Sequence, residues 1–334
     1  MTRKKTAITS IVIFVAVFAI LLTVATFTDF QISTILTSKA LANHTYITND
    51  AFGAAFEAIG SVPVYFMFAL GFEVLALGFI RLNEEKKAWK TILAVVCVVA
   101  GVIANYVLTS DVVGYLLKHI LSTDHLGDAG SAGYLKVIEF FFAVILAFFE
   151  TMAINNFSDE SIKKLMKWAT AAIVAGAVAS LIPELIKSPV GRIRYRAMNL
   201  YPENKDYGFA AFARWYERNG AKWSEMFTRE ERIAIFGSTD TFKSFPSGHT
   251  CAAGASYSLI ALNKALNIKN KGVRALLWIC PILFTATVAI SRIVVGAHFF
   301  SDVLVGGTIA FVCAMITREI FVCKGENVKA IFSK

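Results

Sequence analysis

Eight apolar stretches punctuate this chain, near 7–27, 62–80, 91–109, 134–154, 168–186, 251–266, 275–290 and 300–316. No other feature constrains the fold as strongly. A run of about 20 apolar residues wound as an α-helix crosses a hydrocarbon layer of about 30 Å. In that layer every backbone N–H and C=O must find its partner inside the element, which leaves helices and closed barrels as the available forms. With 56% hydrophobic residues and mean hydropathy +0.60, a water-soluble domain of this length could not keep its apolar side chains inside. The expected fold is all-α: a polytopic transmembrane helix bundle of about eight spans. A basic run precedes the first stretch, as in a cleaved signal peptide. The stretch is longer than such a segment needs and no convincing Ala-x-Ala site follows it, so a membrane anchor is expected.

Charge then sets orientation. The connections 81–90, 158–167 and 267–274 and the tail from 318 are rich in Lys and Arg, which assigns them and the N-terminus to the cytoplasm. Segments 187–194, 246–249 and 292–302 then share the opposite side, each at an outer end of a span. The long segment 187–249 is basic too, but long loops escape the charge rule. A net charge of +9 suits anionic lipid head groups and anionic substrates. Nucleic acid is not an expected partner, because the Lys and Arg residues lie largely in loops between spans.

Those outer ends carry the chemistry. Ser291-Arg292 is followed after five residues by His298 and after three more by Asp302, and Pro246-Ser247-Gly248-His249 lies upstream. An imidazole attacks phosphorus when it is neutral and aimed, so a carboxylate that fixes its tautomer is the partner to seek. Asp302, one helical turn beyond His298, fits. Arg292 can lay a planar fork on phosphate oxygens, and Ser247 and Gly248 can open a helix with free N–H groups toward the same anion. His249 is then the candidate general acid.

This constellation resembles the type 2 phosphatidic acid phosphatase superfamily, whose signatures run Lys-x6-Arg-Pro, Pro-Ser-Gly-His and Ser-Arg-x5-His-x3-Asp. The second and third are complete. For the first, Lys187 and Arg194 have the required spacing, with Tyr195 where the family usually has proline. The resemblance covers roughly residues 168–319 and implies a six-helix core. The expected division is an N-terminal addition over 1–90 and a family-like membrane domain over 91–334, with the signatures within 187–302.

The expected activity is hydrolysis of a phosphomonoester or diphosphate through a phosphohistidine. His298 is the nucleophile, Asp302 orients it, and His249 serves as acid and then base. Lys187, Arg194, Ser247, Gly248 and Arg292 grip the phosphate. Neither a metal nor a cofactor is expected. A site at the outer ends of membrane helices is reached most easily by an amphiphile. The expected substrate is therefore a lipid phosphate such as phosphatidate, phosphatidylglycerol phosphate or a polyprenyl diphosphate. Two alternatives stay open: a phosphotransferase using the same intermediate, and a non-catalytic lipid-phosphate binding or transport protein. Short loops and abundant lysine point to a bacterial plasma membrane. Oligomeric state is not legible.

Other residues carry weaker expectations. Arg192 and Arg196 flank Arg194 and could take a second phosphate. His44, His119 and His125 read as surface or interfacial, and the cysteines as small buried hydrophobes. Glu73, Asn105, Glu139 and Glu150 fall inside spans, where structural pairing is expected, with Lys136 as the partner of Glu139. Asn43-His44-Thr45 is a glycosylation tripeptide of no weight. The aromatic stretch 209–215 suggests a short interfacial helix or a loop packed over the helix ends.

Overall fold

The computed structural model describes residues 3–37, 50–121, 132–200 and 212–332. The tripeptide at 43–45, His125 and Phe209 lie outside them. All regular structure among the described residues is helical. The long helices are α1 (Arg3–Thr37), α3 (Val62–Arg81), α4 (Ala88–Ile120), α5 (Gly133–Asn155), α6 (Asp159–Val190), α12 (Lys271–Val294) and α13 (Phe300–Thr317); a short α2 (Ala51–Ala58) runs into α3. The α2–α3 unit and the other six make seven helical segments long and apolar enough to cross a membrane, and the chain is an integral membrane protein.

The eighth expected span, 251–266, is not a continuous α-helix. It forms α10 (Gly248–Ala253), a 3-10 segment (Gly254–Ala261) and α11 (Leu262–Ala265). Because a 3-10 helix rises about 2.0 Å per residue against 1.5 Å, these 18 residues reach about 31 Å, where an unbroken α-helix would reach about 27 Å. A stretch short for a crossing is thereby drawn out to the thickness of the hydrocarbon. Gly254 marks its close approach to α13, since a Cβ there would sit 2.5 Å from that of Ala310.

Packing follows the small residues. α6 presents Ala169, Ala172, Gly176 and Ala179 as a buried stripe. Phe68 lies over Gly176, and Ile173 over Gly71 of α3. With no hydrophobic drive between helices in lipid, such close approach is what holds a membrane bundle together. α1 is largely exposed along its apolar length but buries Ala25, Asp29, Ser33 and Thr37, a stripe at i, i+4 spacing that docks on the bundle.

α1 lies against α12 and α13, and α3 against α6 and the 3-10 segment, whereas α4 and α5 pack mainly on each other, α2 and α3. Polar contacts within the membrane tie α4 to α5 and α5 to α3. Asn105 Nδ2 donates to Glu150 Oε2 (2.8 Å), and Thr151 Oγ1 to Glu73 (2.7 Å). The Lys136–Glu139 pair is present at 2.9 Å.

Candidate active site

The site lies where α1, α2, α4, α6, α10, α12 and α13 have ends on one side of the bundle. Lys187 occupies the last turn of α6, which stops at Gly191 in the left-handed region (φ +60°). The Gly191 N–H donates back to the Lys187 carbonyl (2.9 Å), and a Cβ at Gly191 would meet Gly220 at 2.4 Å. Glycine is thus required twice there, by the turn and by the space. The chain emerges extended, with Arg194 N–H on the Thr241 carbonyl (2.9 Å) and Ser244 N–H on the Arg192 carbonyl (3.0 Å). These bonds clamp the first signature to the residues just before the second.

The second signature starts α10 with Ser247 as N-cap, its hydroxyl accepting from Thr250 N–H (3.3 Å). Its backbone is pinned to the third signature by Ser247 N–H on the Asp302 carbonyl (3.0 Å). Gly306 of α13 permits this contact, since a Cβ there would stand 2.4 Å from the Ser247 carbonyl oxygen. Gly248 faces Lys187, whose Nζ lies 2.9 Å from where a Cβ would be. Lys187 also pairs with Glu184.

His298 is buried in the turn between α12 and α13. Its Nδ1 lies 2.5 Å from the Ser244 carbonyl oxygen and 3.8 Å from Asp302 Oδ2. A carbonyl accepts only, so Nδ1 carries the proton and Nε2 keeps its lone pair. The expected carboxylate partner is therefore close without being the direct one. Asp302 instead accepts from Ser244 Oγ (2.6 Å), Phe299 N–H (2.8 Å) and Arg192 Nη1 (2.5 Å). Burial, opposed by Asp302 and assisted by Arg194, pushes the His298 imidazole down to about 4, so it is neutral near pH 7.

Arg192 is not a second phosphate ligand. Wholly buried, it donates to Asp302, Ser301 Oγ (2.8 Å), Asp29 (2.9 Å) and the Ala213 carbonyl (2.9 Å), and its guanidinium lies 4.0 Å above the Phe299 ring. Four of its five donors are held on fixed acceptors, and the side chain is wholly buried away from any substrate. Arg194 is half-buried, with Nε on the Asp240 carbonyl (2.8 Å), and its two terminal nitrogens have no hydrogen bond among the described residues. Although burial opposes it, Arg194 and then Lys243 hold the Asp240 carboxyl down to about 2.

Arg292 is turned toward α2. Nη2 donates to the Gly53 carbonyl, Nε to Ser291 Oγ (3.2 Å), and Nη1 stands 3.0 Å from Glu57 Oε1. The same Glu57 accepts from His119 Nε2 (2.9 Å), which is therefore part of the site's wall and not a surface residue. The His249 ring packs edge-on against Tyr115 at 5.0 Å between centroids, and its Nε2 has no hydrogen-bond partner among the described residues.

Tyr195, in the place of the family's proline, begins the short helix α7 (Tyr195–Leu200). It packs on Phe30 and Phe299, with its hydroxyl on Thr34 Oγ1 (3.1 Å). Phe212 joins the same aromatic group, and Trp215 stacks on Phe245. Residues 212–219 form no helix, so this part of the aromatic stretch is a loop over the helix ends. Among the described residues no group of three or more His, Cys, Asp or Glu is placed to hold a metal ion.

The eight residues expected at the site, Lys187, Arg194, Ser247, Gly248, His249, Arg292, His298 and Asp302, are gathered by the fold at one end of the bundle. The sequence pattern did not single out Ser244, Asp29 or Glu57, which contact them. Ser244 acts through a carbonyl that every residue has. The two acids lie outside any signature, and their only signal was a carboxylate at the end of an apolar stretch.

The family model described as PAP2 superfamily matches residues 168–324. Curated proteins and solved structures give no match. The matched segment, just under half of the chain, contains all three signatures, from Lys187 to Asp302, and over it the chain is similar to the PAP2 superfamily, a similarity that supports a phosphatase-type activity.

Proposed function

We propose that this protein hydrolyses a phosphomonoester or diphosphate of a membrane lipid in two steps. His298 Nε2 bonds to phosphorus as the ester or anhydride P–O bond breaks, and His249 gives the leaving oxygen its proton. Water then attacks the phosphohistidine and gives its proton to His249, and the N–P bond breaks to release phosphate. Lys187, the terminal nitrogens of Arg194, Nη1 of Arg292 and the N–H groups at Ser247–Gly248 balance the charge on the phosphoryl oxygens.

One observation carries this reading. A buried imidazole has its Nδ1 proton committed to a carbonyl, leaving Nε2 free beside a gathering of cations. Binding alone needs the cations and not the aimed ring.

A lipid substrate follows from position, because the site caps helices whose outer surfaces are apolar. The site belongs on the non-cytoplasmic face, with both termini cytoplasmic. In support, Arg81 meets Asp159 at the opposite end of the bundle, where the basic connections lie. A bacterial plasma membrane fits the short loops. The test is phosphate release in detergent from a panel of lipid phosphates and soluble sugar phosphates, in excess chelator. Release from lipids that survives chelation is expected; release from sugar phosphates alone would contradict the lipid assignment.

A further inference from the structure

α2 and the second half of α4 form a wall of the site that lies wholly outside residues 168–324. Glu57 stands at its centre. One carboxylate oxygen is 3.0 Å from Arg292 Nη1 and the other 2.9 Å from His119 Nε2. The turn after α2 reaches His249, since a Cβ on Gly60 would lie 3.5 Å from His249 Cδ2. From α4, Tyr115 packs edge-on against that ring, and Ser61 binds Asp111 to keep α2 against α4.

We infer that Glu57 is a positioning residue for the reaction, a carboxylate supplied from outside the family segment that anchors Arg292 and balances the charge at His249. The inference rests on the phosphatase reading and adds a role to it. The general acid must hold a proton in a neighbourhood built to attract phosphate. The charged and titratable groups acting on His249 are Arg292 from α12, Arg194 from the first signature, His298 from the turn before α13 and Glu57 from α2. Tyr115 from α4 contacts the ring, and Lys187 from α6 borders the adjoining Gly248. Burial pushes the His249 imidazole down, the cations and the second imidazole add to that, and the Glu57 carboxylate opposes it. Glu57 also takes the Arg292 fork at one nitrogen, which fixes the guanidinium before substrate arrives and lowers the ordering cost of binding.

The experiment is the pH profile of kcat/KM for purified wild type, Glu57→Gln and Glu57→Asp in detergent, on whichever lipid phosphate the wild type hydrolyses best, with thermal unfolding of each. The alkaline limb reports the general acid. In Glu57→Gln it moves to lower pH by about one unit or more, and kcat/KM above the limb falls about tenfold. Glu57→Asp keeps the charge and shortens the reach, so its alkaline limb stays near that of wild type while KM rises. An active wild type whose limb is unmoved in a folded Glu57→Gln overturns the inference and leaves the phosphatase reading standing. Should Glu57→Gln not fold, a Glu57→Asp limb displaced as far as one unit with KM unchanged also overturns it. A folded wild type that releases no phosphate from any substrate sinks the phosphatase reading and this inference together.

Discussion

The Nδ1 proton of His298 is held by the Ser244 carbonyl oxygen at 2.5 Å, while the carboxylate of Asp302 stands 3.8 Å away. Orientation of the imidazole and charge balance around it are thus divided between two groups. A backbone carbonyl fixes the tautomer, and Asp302 ties that backbone to the buried Arg192 through the Ser244 hydroxyl.

That division separates two substitutions. Ser244→Ala removes the hydroxyl from Asp302 but leaves the carbonyl, so turnover per folded molecule is expected to fall less than about tenfold and stability by about 1.5–3 kcal/mol. Asp302→Asn strips Arg192 of a buried charge partner and is expected to cost about 3–5 kcal/mol. Chemical unfolding alongside phosphate release separates the two.

Arg192→Met tests whether this arginine is structural. It leaves Asp29 and Asp302 buried and unpaired, so the expected outcome is a loss of about 3–5 kcal/mol, seen as a lower unfolding midpoint. The ratio of diphosphate to monophosphate turnover in the protein that does fold is expected to match wild type. A selective loss of diphosphate turnover would return Arg192 to the substrate site.

In the proposed reaction the acid limb of the rate profile reports His298. Its folded value lies near 4, below the usual 6.5, so kcat/KM is expected to hold on acidification until about pH 4 and then to fall as the nucleophile gains a proton. Linkage has the same sign. Between about pH 4 and 6.5 the unfolded chain binds more protons at this residue, so its contribution to stability rises with pH through that window and is level above it. An acid limb near 6.5 would contradict the buried, neutral ring.

Gly306→Ala probes the contact that joins the second and third signatures. The added methyl meets the Ser247 carbonyl oxygen at 2.4 Å and must push α10 from α13, at an expected cost of about 1–3 kcal/mol. Because Ser247 and Asp302 separate in the process, turnover is expected to fall further than stability alone explains.

Much of the architecture is legible from hydropathy, because lipid leaves few ways to satisfy a backbone. The stretch at 251–266 shows the limit of that reading: an apolar run reports burial, and only the structure around Gly254 reveals the 3-10 winding that lengthens it. The eight candidate site residues stand out in the sequence because phosphate chemistry demands particular side chains. Arg192 was misread for the same reason, since a cation near a phosphate site is ordinarily a ligand, and its burial against Asp29 depends on a helix more than 150 residues away in sequence. Glu57 and His119 are joined across 62 residues by the packing of α2 on α4, which no local pattern encodes.

A covalent intermediate on His298 is detected by quenching turnover in alkali, where phosphohistidine survives, and mapping the phosphoryl group by mass spectrometry. The expected result is an adduct on the peptide carrying His298. It accumulates in His249→Ala, where water lacks its base, and is absent from His298→Ala, which releases no phosphate. Continued phosphate release by a folded His298→Ala, or turnover by His249→Ala with no adduct at His298, would contradict it.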